Sequence, residues 1–191
     1  MKINLILLAA GNSKRFNGNK LLTMYNGKPL YMYIIEKALN IDVNKIICVT
    51  QYEEIKEALS NTKINVVMNN NSNLGISSSI KLGVNFDNDA DGYMFMVCDQ
   101  PFIKEDTINK LLNTFINGDK GIVSTAFNGC TRNPVIFSKR YLNDLLSLNG
   151  DTGGSKIIKR NFNDLILVEV TNISEVRDID TREEMKELSI E

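Results

Sequence analysis

The sequence predicts an α/β fold with a mostly parallel central sheet and helices on both faces of that sheet. Strand-like apolar runs alternate along the chain with helix-like patterns, and the connections between them are short. Such alternation is typical of strand–helix–strand crossovers, which place successive strands parallel. Runs such as Tyr93–Cys98 are apolar at nearly every position. A strand with this pattern is buried on both faces of the sheet.

Six apolar runs are predicted to be strands because they are rich in residues that favour β-structure and alternate with helical patterns. In chain order they are Ile3–Leu8, Lys45–Thr50, Ile64–Met68, Tyr93–Cys98, Ile122–Ala126 and Leu165–Val170. The segment Thr131–Phe137 is predicted to be a turn that leads into an edge strand. The polar segment Asn69–Ser72 is predicted to be a loop.

Helices are predicted between these strands from apolar residues that recur at helical spacing. They are Leu30–Leu39, Glu53–Leu59, Ser78–Val84 and Thr107–Phe115, followed by a final helix at Thr181–Leu188. The pattern is clearest in the fourth helix, where apolar residues recur at i, i+3, i+4, i+7 and i+8 from Ile108. Asp106 precedes that pattern and is predicted to cap the helix.

Length and composition predict one domain that spans residues 1–191. The net charge of −1 gives no reason to expect a nucleic-acid or membrane surface. No apolar run is long enough to cross a bilayer, and Ile3–Leu8 is expected to be a strand rather than a signal peptide. A cytoplasmic protein with buried free thiols at Cys48, Cys98 and Cys130 is expected.

The chain contains no histidine. This absence excludes catalytic triads that use histidine, imidazole general bases and zinc sites of the usual Cys/His kind. Any acid–base or metal chemistry therefore depends on carboxylates, lysine, arginine and hydroxyl groups.

The loop after the first strand has the composition of a phosphate site. Gly11 permits a close approach of the backbone to a ligand, and Ser13, Arg15 and Lys20 add a hydroxyl and two cations. The loop matches neither the Walker A motif nor the dinucleotide-binding glycine fingerprint. A solvated basic turn is the alternative, but the position directly after the first strand favours phosphate binding.

Carboxylates occur at two further positions where a predicted strand or apolar segment ends. Asp99 follows Tyr93–Cys98, and Asp178 and Asp180 lie in the segment R-D-I-D-T. Carboxylate oxygens suit Mg²⁺, so Asp99 and one of the later pair are candidate ligands. The alternative is that Asp99 caps a turn before Pro101 and that the other aspartate caps the final helix.

Three more segments combine glycine with polar side chains. Gly75–Gly83 places hydroxyls and backbone N–H groups at a helix N-terminus, where a base or an anion could bind. Thr131–Phe137 and the glycine-rich Gly150–Lys156 complete the set. Serine capping and ordinary turn formation remain alternatives for all three.

The order of these motifs resembles the molybdenum cofactor cytidylyltransferase family. The motifs are L-A-A-G-x-S-x-R-F-x-x-x-K, G-x-S-S-S-I-x-x-G, C-D-Q-P-F, N-P-V-I-F, G-D-x-G-G and D-I-D-T, and they span almost the whole chain. The resemblance implies a three-layer, Rossmann-like nucleotidyltransferase fold. It also implies Mg²⁺-dependent transfer of CMP from CTP to the phosphate of molybdopterin-bound molybdenum, with release of pyrophosphate and a molybdenum enzyme as a possible recipient of the product.

The resemblance also implies roles for individual residues. Ala9, Ala10 and Gly11, with Ser13, would face the nucleotide, Arg15 and Lys20 would hold the triphosphate, and Ser79 would contact the base or ribose. Asp99 and Asp178 would bind Mg²⁺. The acceptor would contact Asn133, Pro134, Gly150 and Asp151.

Two departures from the family pattern fall on the acceptor side. Arg132-Asn133-Pro134 stands where the family usually has G-H-P, and Gly153-Gly154-Ser155 stands where it usually has G-A-R. These departures leave the identity of the acceptor open, so nucleotidyl transfer to a sugar phosphate is an alternative. Guanylyl transfer to the same cofactor is also an alternative, because the sequence does not distinguish cytosine from guanine selection. A nucleotide-binding partner of a molybdenum enzyme without catalytic activity is an alternative of another class.

Overall fold

A seven-stranded sheet forms the centre of the computed structural model, which describes residues 1–13, 15–16 and 18–187. The strands are β1 Ile3–Ala9, β2 Met24–Tyr25, β3 Lys28–Pro29, β4 Lys45–Thr50, β5 Asn65–Met68, β6 Gly92–Val97, β7 Ile122–Phe127, β8 Cys130–Ser138 and β9 Leu165–Glu169. The helices are α1 Met32–Asn40, α2 Glu53–Leu59, α3 Ile76–Phe86, α4 Glu105–Asn117, α5 Leu142–Ser147, α6 Ser155–Arg160 and α7 Arg182–Glu187.

The strand order of the large sheet is β5-β4-β1-β6-β8-β7-β9, and β2 and β3 form a separate hairpin. Within the sheet, β8 runs antiparallel to both of its neighbours, and the other pairings are parallel. Ala9 is paired with Thr50, and Leu8 with Val97. The carboxyl ends of β1, β4 and β6 therefore meet at one edge of the sheet.

Helices cover both faces of this sheet, as predicted from strand-like runs such as Tyr93–Cys98 that are apolar at nearly every position. Successive residues of β1 alternate between the two hydrophobic clusters, with Leu5 and Leu7 in one and Ile6 in the other. All three side chains are fully buried. The first cluster includes buried residues of α1, α2 and α4, and the second includes those of α3, α5 and α6. The predicted three-layer α/β architecture is confirmed.

A third, smaller cluster fastens the first loop to the end of the chain. It consists of Phe16, Tyr25, Leu30, Ile179 and Met185, which come from the loop after β1, the hairpin and the residue after it, the segment before α7, and α7 itself. Phe16 is 1% exposed and lies beside Arg182, whose guanidinium is 5.0 Å from the ring centroid. Burial of this aromatic ring anchors a loop that is otherwise polar.

Two of the local predictions on strands and thiols are wrong. Thr131–Phe137 lies within β8, which is inserted between β6 and β7 and is not an edge strand. Its Pro134 is accommodated because the pairing of β7 with β8 is irregular between Ser124 and Thr125. Cys48 and Cys98 are buried free thiols as predicted, whereas Cys130, at the start of β8, is exposed.

The predicted helix caps are also corrected. Asp106 lies inside the first turn of α4, and Lys104 occupies the capping position. Thr181, rather than an aspartate of R-D-I-D-T, caps α7: its hydroxyl accepts from the N–H of Glu184, whose carboxylate accepts from the N–H groups of Asp180 and Thr181. Leu188, the predicted end of this helix, lies outside the described residues.

The hairpin of β2 and β3 and the helix α5 have no counterpart in the sequence-based prediction. Both are short, so neither carries enough residues for a periodic pattern to be recognised. Within the described ranges, none of the helices has the length and apolar character that a membrane span requires.

Candidate active site

Two adjoining clefts open along the carboxyl edge of β1 and β6. The first has a volume of about 410 Å³ and is lined by the loop after β1, the start of α3 and Asp99. The second has a volume of about 320 Å³ and is lined by β8, the start of α6 and Asp178. Leu8, Ile76 and Val97 line both clefts. Ligands in adjacent clefts can therefore contact each other above the ends of β1 and β6.

The loop after β1 turns sharply at Ser13 before it reaches Lys20. Ser13 has a φ of 46°, in the left-handed region that a residue with a Cβ rarely adopts. Its carbonyl accepts from the N–H of Phe16 at 2.9 Å, and its hydroxyl accepts from the N–H of Lys20 at 3.3 Å. These bonds stabilise the turn and bring Lys20 back beside the first cleft.

Lys20 lies between two carboxylates and is almost completely buried. Its Nζ is 2.8 Å from an oxygen of Asp99 and 3.1 Å from one of Asp180. Burial by itself lowers the pKa of Lys20, but the two carboxylates outweigh it, and the pKa is raised above its ordinary value. Arg15, which is largely exposed, contacts the other oxygen of Asp180 at 2.7 Å. The two predicted cations thus share one carboxylate.

The second oxygen of Asp99, Oδ1, is buried and has no hydrogen-bond partner among the residues that the structure describes. Removal of a carboxylate oxygen from water without a compensating partner is unfavourable. A bound cation would satisfy this atom, and the carboxylate is the ligand type that Mg²⁺ and Mn²⁺ prefer. Among the described residues, no three His, Cys, Asp or Glu side chains form a group that could hold a metal ion. A metal at Asp99 would therefore need ligands of other kinds as well.

Asp178 lies on the wall of the second cleft rather than in the Lys20 cluster. Its Oδ1 accepts from the side-chain amide of Gln100 at 2.8 Å. Burial of the carboxylate is the larger cause and repulsion from Asp99 the second, and together they raise the pKa of Asp178 to about 6. Its carboxylate is therefore close enough to Asp99 for the two charges to interact.

The predicted nucleotide-binding residues are close together, but they differ in accessibility. Ala10, Gly11, Ser13 and Ser79 line the first cleft, whereas Ala9 is fully buried in β1. The hydroxyl of Ser79 accepts from the side-chain amide of Asn69 at 2.9 Å. Ser79 therefore retains its own hydrogen as a donor toward the cleft.

The four predicted acceptor-binding residues do not lie together in one cleft. Asn133 lines the second cleft, and Pro134 follows it through a cis peptide bond. Gly150 and Asp151 instead approach the start of α3 beside the first loop. The approach is so close that a Cβ on Gly75 would be 2.5 Å from the carbonyl of Gly150, so only glycine fits at position 75. Contact of these four residues with an acceptor stays a prediction.

Sequence reasoning missed four polar residues at this edge of the sheet. Asp180 was considered only as an alternative to Asp178, and Gln51, Tyr52 and Gln100 were not considered. Gln51 and Tyr52 directly follow β4, so the rule that placed chemistry after β1 and β6 applies to them equally. Gln100 lies within the C-D-Q-P-F motif, but only the fold shows that its side chain contacts Asp178.

The family assignment follows from comparison with known proteins. A family model described as "MobA-like NTP transferase domain" matches residues 5–165. The chain belongs to this family. A probable molybdenum cofactor guanylyltransferase from Thermococcus sibiricus is 46% identical over 52 residues, which are 27% of this chain and 27% of that protein. This protein and two further curated relatives match the chain over only 27%, 29% and 34% of their own lengths, respectively.

Solved structures of the same fold cover the whole chain. The Rv0371c homologue from Mycobacterium sp. strain JC1 has a TM-score of 0.86 and 23% identity, with 100% of this chain and 97% of that chain covered. A manganese complex of Rv0371c from Mycobacterium tuberculosis H37Rv has a TM-score of 0.81 and 19% identity, with 100% and 99% covered. At such low identity the likeness establishes the shared fold.

Proposed function

We propose that this chain transfers a nucleoside monophosphate from a nucleoside triphosphate to a phosphate group on an acceptor, with the help of Mg²⁺. One observation carries the proposal. A buried lysine lies between two carboxylates at the end of a loop whose backbone borders a cleft. One of those carboxylates has a buried oxygen without a hydrogen-bond partner in the described part of the chain. Membership of the MobA-like family agrees with this chemistry.

The reaction requires no general base, which fits a chain without histidine. A phosphate oxygen of the acceptor attacks the α-phosphorus and forms a new oxygen–phosphorus bond. The bond from the α-phosphorus to the bridging oxygen of the β-phosphate breaks, and pyrophosphate leaves with that electron pair. Catalysis then consists of alignment of the two substrates and neutralisation of charge.

The residues of the first cleft are proposed to provide that neutralisation. Lys20 is fixed by two ion pairs, so its charge is already oriented before the triphosphate binds. Arg15, which pairs with Asp180 and whose side chain is 74% exposed, is proposed to contact the leaving pyrophosphate. Asp99 is proposed to hold the metal, with Asp178 or Asp180 supplying a second carboxylate. Mg²⁺ bound there would offset the negative charge of the phosphate oxygens.

The acceptor is proposed to bind in the second cleft and to be the phosphate of molybdopterin-bound molybdenum, with CTP as the nucleotide. The motif order described above supports this choice. Guanylyl transfer is the second candidate, and the partial match to a protein named as a guanylyltransferase favours it. Nucleotidyl transfer to a sugar phosphate uses the same chemistry with another acceptor.

Release of pyrophosphate tests the proposal directly. The protein is incubated with Mg²⁺, molybdopterin-bound molybdenum and each of CTP, GTP, ATP and UTP in turn. We expect release with CTP, while release with GTP would assign the protein to guanylyl transfer. Release only when glucose 1-phosphate or N-acetylglucosamine 1-phosphate replaces the cofactor would assign a sugar phosphate. Nucleotide binding that is indifferent to Mg²⁺ and gives no turnover would contradict an enzymatic role.

Arg132 is proposed to contact the anionic part of the acceptor. It lines the second cleft, and its guanidinium donates to the carbonyl of Thr131 at 3.4 Å. We expect Arg132→Ala to raise the KM for the acceptor about 10-fold, because a charge-assisted hydrogen bond is lost. The KM for the nucleotide should not change. Arg160→Ala, which removes an exposed arginine at the end of α6, is the matched control. Unchanged acceptor KM in Arg132→Ala would contradict this role.

A further inference from the structure

Two residues that directly follow β4 contact the backbone of the loop after β1. The hydroxyl of Tyr52 donates to the carbonyl of Gly11 at 2.5 Å. The side-chain nitrogen of Gln51 is 3.0 Å from the carbonyl of Ala10 and 3.4 Å from that of Gly11. Neither Gln51 nor Tyr52 lines the first cleft, whereas Ala10 and Gly11 do.

These contacts determine the direction of two backbone N–H groups. In a trans peptide the C=O and N–H bonds point to opposite sides. The carbonyls of Ala10 and Gly11 contact Gln51 and Tyr52, so the N–H groups of Gly11 and Asn12 point away from these two side chains. Neither N–H group has a hydrogen-bond acceptor within the described ranges of the chain. Two adjacent free N–H groups are suited to bind an anion.

The orientation of Gln51 is itself fixed by its neighbours. Its side-chain oxygen accepts from the hydroxyl of Ser72 at 2.8 Å, which leaves its NH₂ group directed toward the loop. That NH₂ group is also 3.0 Å from the side-chain oxygen of Asn12. The side-chain amide of Asn12 in turn donates to the carbonyl of Ser72 at 3.3 Å. Gln51 therefore links the loop after β1 to the segment that precedes α3.

We propose that Gln51 and Tyr52 are positioning residues that preorganise the loop for the triphosphate. They fix the peptide groups on either side of Gly11 so that consecutive N–H groups point into the cleft before the nucleotide arrives. Because this order already exists in the free protein, less conformational entropy is lost on binding. The inference rests on the proposed function, since it takes the first cleft to be the nucleotide site.

Tyr52→Phe tests the role of the hydroxyl alone. We expect the Kd of the best-bound nucleoside triphosphate, measured by calorimetry with Mg²⁺ and without acceptor, to rise about 3- to 10-fold from the loss of one hydrogen bond. The KM for the nucleotide should rise in parallel, while the KM for the acceptor stays constant. Tyr33→Phe is the matched control, because the Tyr33 hydroxyl also donates to a backbone carbonyl, that of Tyr25, at 2.9 Å.

Gln51→Glu gives a second, independent test at nearly constant shape. A carboxylate cannot donate to the carbonyls of Ala10 and Gly11, and its charge opposes the triphosphate. We therefore expect the Kd to rise about 10- to 100-fold. Nucleotide binding by both variants that equals the wild type would overturn the positioning role but not the proposed function. If Tyr33→Phe weakened nucleotide binding as much as Tyr52→Phe does, the positioning role would also be overturned, while the proposed function would stand. If the wild type binds none of the four triphosphates, both are wrong.

Discussion

Lys20→Ala is expected to lower the rate of pyrophosphate release by about 10²–10³-fold, the typical cost of losing one preorganised group that stabilises charge. Lys20 is the buried cation of the first cleft, and its Nζ is held between Asp99 and Asp180. In the variant, these carboxylates lose their counterion and repel the triphosphate instead. Both the loss of attraction and the new repulsion act on the reacting phosphate, so kcat falls and the KM for the nucleotide rises.

The control for Lys20→Ala is an ion pair of similar length outside the clefts. Lys45 is 2.7 Å from Asp87, compared with 2.8 Å for Lys20 and Asp99. Lys45→Ala should therefore retain the wild-type rate. Circular dichroism during heating shows whether each variant is folded at the assay temperature. A folded Lys20→Ala protein with near-normal turnover would contradict the assignment of the site.

The second large effect is expected for Asp99→Asn, which keeps the size of the side chain and removes its charge. The amide oxygen can still accept from Lys20, but the variant loses the negative charge that attracts a metal ion. We expect turnover at fixed Mg²⁺ to fall by about 10²-fold or more, a loss comparable to that of other preorganised electrostatic groups. The concentration of Mg²⁺ needed for half-maximal activity should increase.

Asp87→Asn is the matched control for this variant, since Asp87 pairs with Lys45 away from the clefts. Its dependence on Mg²⁺ should match that of the wild type. A titration with Mn²⁺ in parallel asks whether a second divalent cation uses the same carboxylate. If Asp99→Asn keeps the wild-type Mg²⁺ dependence, Asp99 does not bind the metal and the buried Oδ1 needs another explanation.

Much of the architecture could be predicted because it depends on local patterns. The near-continuous apolar run of β6 predicts a strand buried on both faces, and the i, i+3, i+4 spacing in α4 predicts an amphipathic helix. The position of β8 could not be predicted in the same way. The segment Thr131–Phe137 is predicted to lead into an edge strand, but the irregular pairing of β8 with β7 admits Pro134 in the interior of the sheet.

In the candidate site, too, some residues could be predicted from local sequence and others could not. Lys20, Arg15 and Asp99 could be selected from the sequence because they follow strands whose carboxyl ends carry ligands in this class of sheet. Their partners could not be selected. Asp180 is 160 residues from Lys20 along the chain, and Gln51 is 41 residues from Ala10. Only the folded chain shows which of several plausible polar residues share a contact.

The sequence by itself determined the α/β class, the absence of imidazole chemistry and the loop that carries the predicted phosphate-binding residues. These conclusions depend on composition and on short-range periodicity, which every segment carries within itself. The tertiary structure decided that Asp180 pairs with both cations, that Asp178 faces the second cleft and that the end of β4 orients the peptides around Gly11. Such pairings depend on strand order and register, which bring together side chains that are far apart in the chain.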